Sequence, residues 1–114
     1  MGYINPICFL NKTETLDVAV KSLDTFKQFG VEDFRNVAGD IKSVQMVLEP
    51  NAAAAANAIL ARYWQTGVDP TLTEGIPVRA FDKIAVNSVL DVISFRIMAI
   101  DGLEHTLQIQ YFNY

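Results

Sequence analysis

The chain carries one cysteine, Cys8, and one histidine, His105, so Cys–His nucleophilic catalysis has a single candidate pair. Such chemistry needs the imidazole within hydrogen-bond reach of the thiol and a third group that orients the imidazole. Cys8 sits in the apolar run Ile7-Cys8-Phe9-Leu10 and His105 in an alternating stretch near the other end of the sequence, with no spacing that links them. The plainer reading is a small core side chain and a strand histidine. No catalytic residue is therefore assigned, and the balance is against an enzyme.

Metal and cofactor chemistry have less support. A zinc site needs several Cys, His or carboxylate ligands, and neither CxxC nor HExxH occurs. Asp69, Glu74 and Asp82 flank a loop rich in proline and glycine, but their spacing fits neither a general acid–base pair nor a calcium loop. Other carboxylates, Asp17, Asp24, Glu32, Asp33, Asp40 and Glu49, are scattered and read as solvated. GxGxxG and the P-loop pattern are both absent. No cofactor and no bound metal are expected.

The aromatic residues are more informative. Tyr63 and Trp64 are the candidate lining of a pocket between a sheet and helices. Tyr111 and Phe112 are consecutive near Tyr114, and neighbours on a strand point to opposite faces, so only one of the two can enter a given core.

These residues must be positioned by the elements around them. Ser94 to Phe112 reads as a long β-hairpin around Asp101-Gly102, a pair suited to a two-residue turn with positive φ. One face carries Phe95, Ile97, Ala99, Leu103, Leu107, Ile109 and Tyr111. The other includes Met98, Ile100 and Phe112, large apolar groups that call for cover by another element or another copy of the chain. Met98, Ile100, Phe112 and Tyr114 are accordingly the candidate interface.

Upstream, residues 4–10 form a short apolar run with Pro6 at its start, read as a first strand. Leu16, Ala19, Val20, Leu23 and Phe26 recur at helical spacing, Asp17 and Lys21 form an i,i+4 pair, and Gly30 supplies a stop, which predicts a helix over 13–29. Residues 31–37 and 41–48 read as two antiparallel strands around Ala38-Gly39-Asp40. Asn51 then caps an alanine-rich run to Trp64, ended by Gly67, which predicts a second helix. A stiff loop follows over 68–77, then a strand over 78–86, a turn near Asn87-Ser88 and a strand over 89–100.

The order predicts a single α+β domain over 1–114: two layers, a mainly antiparallel sheet with two helices on one face and the C-terminal hairpin. Its first six elements trace a ferredoxin-like βαββαβ order. At 114 residues the chain suffices for one core. Hydrophobic residues make up 51%, while charged residues are 19% against about 25% in ordinary domains, an excess that a small domain hides best between subunits.

The formal charge of −4 and the absence of a Lys/Arg cluster oppose binding to nucleic acid or to an anionic membrane surface. No apolar run is long enough to span a bilayer, and the first residues lack the basic and apolar regions of a secretion signal. A cytoplasmic setting or a virus particle fits this composition. The leading expectation is a non-enzymatic, self-associating structural or assembly protein, viral origin included. The alternatives are an acidic inhibitor that binds a basic protein, and a small-ligand-binding domain or enzyme with a pocket near Tyr63 and Trp64.

Overall fold

A computed structural model describes residues 8–23 and 41–112. It replaces the expected helix-on-sheet architecture with two antiparallel four-stranded sheets. The strands are β1 (Cys8–Leu16), β2 (Lys21–Ser22), β3 (Ser43–Glu49), β4 (Ala61–Trp64), β5 (Ile76–Val78), β6 (Lys83–Val86), β7 (Arg96–Ala99) and β8 (His105–Phe112). A six-residue helix, α1 (Val89–Ser94), is the only complete helix among the described residues.

The first sheet has the order β1-β8-β3-β6 and the second β2-β7-β4-β5. A simple rule generates both: β4 pairs with β5, β3 with β6, β2 with β7 and β1 with β8. The described strands thus form one nested hairpin wrapped so that successive pairs alternate between sheets, and the β3–β8 and β4–β7 ladders stitch each sheet together. This is the strand order of an eight-stranded jelly roll.

Neither predicted helix has the expected form. Over 13–22 the chain is strand, turn and strand, and the rest of that predicted helix lies outside the described residues. Thr13 and Thr15 are exposed while Leu16 is buried, the period of a strand with β-branched residues on it. The Asp17–Lys21 pair does form, at 4.0 Å, but across a turn in which Asp17 Oδ1 accepts the Ala19 amide.

At the second predicted helix, Asn51 caps no helix: its Oδ1 accepts the Ala53 amide at 2.9 Å in a local turn. The chain then turns away, with Asn57 at a φ of 62°. Alanine propensity is a weak force without an apolar face to bury, and Ala52, Ala53, Ala55 and Ala56 are all exposed. Ala61 to Trp64 become a strand instead.

The C-terminal hairpin is also corrected. Gly102 has the positive φ, 79°, that the turn requires, yet β7 and β8 belong to different sheets and do not pair. Of the expected core face, Phe95, Ile97, Ala99, Leu107, Ile109 and Tyr111 are buried and Leu103 is half-buried in the connection, while Met98 and Phe112 of the opposite face are buried as well. Alternation reports which side of a strand meets the core, and says nothing of whether the next strand lies beside it or across from it.

Of the two strands predicted around Ala38-Gly39-Asp40, the first lies outside the described residues. The second is β3, whose partners are β8 and β6. The strand expected over 78–86 is two short strands, β5 and β6, broken by a turn. The start of the strand expected over 89–100 is α1, capped by Ser88, whose side chain accepts the Asp91 amide.

Between the sheets lies one core. Val44, Met46, Leu48 and Leu107 come from the first sheet, Ala61, Val78 and Ile97 from the second, and Phe95 from between α1 and β7. Among the described residues, each of the four edge strands carries a guard. Lys12 and Glu14 alternate with the outward residues of β1 and so point inward from an edge strand, β6 carries Lys83, β5 contains Pro77, and β2 has only two residues. Inward charge, lysine, proline and short length are the devices that discourage strand addition.

Candidate functional site

Two surfaces stand out from the residues upward. The first is the outer face of the β1-β8-β3-β6 sheet. Strand alternation sends Asn11 and Thr13 of β1, Gln108 and Gln110 of β8, Gln45 and Val47 of β3, and Lys83 and Ala85 of β6 to this side. Register places them in two rows, Asn11–Gln110–Gln45–Ala85 and Thr13–Gln108–Val47–Lys83. Together they line a shallow trough of about 740 Å³. The Thr13 hydroxyl donates to Gln108 Oε1 at 2.6 Å and Gln108 Nε2 donates to Glu49 Oε1 at 2.9 Å, so this amide has a fixed orientation.

The second surface is a pole of the jelly roll. Successive antiparallel strands send the β4–β5 and β6–β7 connections to the same end, and the Gly67 amide donates to the Ser94 carbonyl at 2.9 Å to join them. There α1 exposes Val89, Leu90 and Ile93, Leu90 at 73%, and the joined loop exposes Val68 and Leu72. At the opposite pole, Phe81 is 65% exposed at a φ of 62°, a strained conformation for a bulky residue.

The residues singled out from sequence fall elsewhere. Cys8 pairs with Phe112 and Leu16 with His105, at opposite ends of the β1–β8 ladder; seven residues of β8 put the two about 24 Å apart. His105 is buried and structural in its contacts: Nδ1 accepts the Asn51 amide at 3.0 Å, which leaves Nε2 to donate to Asp101 Oδ1 at 2.9 Å. Asp69, Glu74 and Asp82 are all exposed, the first two in the β4–β5 loop and the third in the β5–β6 turn. Among the described residues no group of three His, Cys, Asp or Glu could hold a metal ion.

Tyr63 and Trp64 are half-buried on β4, and neither lines the trough. Tyr63 faces the core, where its ring lies 5.4 Å from that of Phe95. Burial pushes its hydroxyl above the ordinary tyrosine range, with the Asp82 charge adding to the effect and a Gln65 hydrogen bond opposing it. Trp64 is opposite Arg96. Met98 and Phe112 are buried within the single chain, Ile100 is half-buried, and Tyr114 lies outside the described residues. No described helix is long and apolar enough to cross a membrane.

No family model matches the chain, and neither does any curated protein or solved structure. Both surfaces were missed in the sequence for identifiable reasons. The trough draws residues from four strands that only the sheet order brings together, although the Gln108-x-Gln110 alternation was visible. The apolar pole depended on recognising α1, and Ser88-x-x-Asp91 before Val92 was the signal for it.

Proposed function

We propose that this chain is a self-associating structural or assembly protein whose subunit contact is the apolar pole formed by α1 and the β4–β5 loop. The observation that carries the reading is the concentration of Val68, Leu72, Val89, Leu90 and Ile93, all exposed, at one end of the molecule. Patches of this kind on a small domain mark contact sites. Guarded edges direct association away from strand addition and toward this end. The jelly-roll order does not choose the role, since capsid, lectin and cupin domains all use it.

Light scattering over a concentration series tests the proposal. Native mass should rise above that of one chain as concentration increases. A mass that stays at one chain throughout would end it.

A further inference from the structure

The trough on the β1-β8-β3-β6 face has a chemistry of its own. Its polar lining is mainly amides and a hydroxyl, Asn11, Thr13, Gln45, Gln108 and Gln110, with Lys12 and Lys83 at its two edges. Each amide offers donors and an acceptor together, the combination that matches a hydroxyl pair on a sugar ring. The two low residues, Val47 and Ala85, sit diagonally in adjacent rows and leave a small apolar floor beside Gln45 and Lys83. Adjacent strands are about 4.8 Å apart and successive outward rows about 6.8 Å apart, so polar groups recur on the scale of one pyranose ring.

From these observations we propose that the trough is a binding site for neutral oligosaccharides. A polyanion would need a basic cluster, whereas the two lysines of the lining, Lys12 on β1 and Lys83 on β6, stand at opposite edges of the sheet in a chain with a net charge of −4. An extended peptide adding as a strand would need an open sheet edge, and these groups lie on a face. Gln108 is preorganised by Thr13 and Glu49, so part of the ordering cost of binding is already met. Among the described residues no aromatic ring lines the trough to stack on a sugar, so a single site binds weakly. Several copies brought together multiply such weak contacts, because the second site then binds intramolecularly.

The test is a titration of the full chain with cello-, malto-, manno- and chitohexaose at millimolar concentration, following side-chain amide resonances by NMR. At least one hexaose should shift the Gln45, Gln108 and Gln110 signals saturably. The double variant Gln45→Ala/Gln110→Ala should weaken that binding at least tenfold at unchanged thermal midpoint. Absence of saturable shifts with all four, or shifts confined to signals outside the trough, would overturn the proposal. So would saturable binding of heparin in their place, which would make Lys12 and Lys83 the determinants. A change of native mass in the double variant without loss of sugar binding would assign the face to a second copy and equally end it. Since native mass and sugar binding are read separately, failure here leaves association through the apolar pole standing or falling on its own measurement.

Discussion

His105 joins two connections that are distant in sequence. Its Nδ1 takes the Asn51 amide at the start of the alanine-rich stretch, its Nε2 holds Asp101 in the β7–β8 connection, and Asn51 Nδ2 adds a bond to the Glu104 carbonyl. His105→Ala removes both bonds and leaves the part-buried Asn51 amide unpaired, so chemical denaturation should show a loss of about 2–4 kcal/mol from the unpaired groups and lost packing. A loss under 0.5 kcal/mol, the ordinary range for surface changes, would deny the histidine this role. Glu14 supplies a pH test. Burial raises its carboxyl above the ordinary glutamate range, and the nearby Lys12 and Lys21 charges only partly offset this. A raised folded pKa means that the protonated form is favoured in the native state. Its stabilising contribution is full below the unfolded pKa and is lost as pH rises through the folded value. Carbon NMR of the Glu14 carboxyl should therefore place its midpoint above that of a model glutamate, and Glu14→Gln should flatten stability against pH in that window.

At the scale of elements, the sequence showed which faces are buried better than it showed which strands are neighbours. The core sides of β7 and β8 were legible because period-two alternation is a local property. Their assignment to different sheets was not, because Asp101-Gly102 turns the chain equally well within a sheet or across a sandwich. The alanine run misled for a physical reason: alanine favours a helix only when some other contact rewards forming one, and Ile59 onward has the β-branched and aromatic residues of a strand. A loop was expected over 68–77; its last two residues, Ile76 and Pro77, belong to β5, and the rest folds back over β4, which the sequence did not show. Gly75 makes that approach possible, with a φ of 132° and room for no side chain: a Cβ would stand 2.9 Å from Arg62 Cβ and 3.1 Å from Pro70 Cβ. Arg62 Nη1 donates to the Gly75 carbonyl at 2.9 Å, which fixes the return. Gly75→Ala should cost about 1–3 kcal/mol by thermal or chemical unfolding, since it combines a disfavoured φ with a clash. An unchanged midpoint would contradict the close approach of loop and strand.

For the whole molecule, the question is where an apolar excess goes in a small domain. The nested hairpin buries much of it between the sheets, and the guarded edges keep the sandwich from extending strand by strand. What remains exposed among the described residues is concentrated in the connections, most of all at the pole of α1. The trough presents the opposite chemistry on a broad face, so contact between copies at the pole leaves that face open. The most direct test is native mass by sedimentation velocity for the wild type and Leu90→Asp/Ile93→Asp, across a concentration series. Both substituted side chains are exposed, so the variant should keep the wild-type circular dichroism spectrum. The wild type should assemble with concentration and the folded variant should stay at the mass of one chain. A wild type that never exceeds one chain, or a folded variant that assembles as the wild type does, would contradict this.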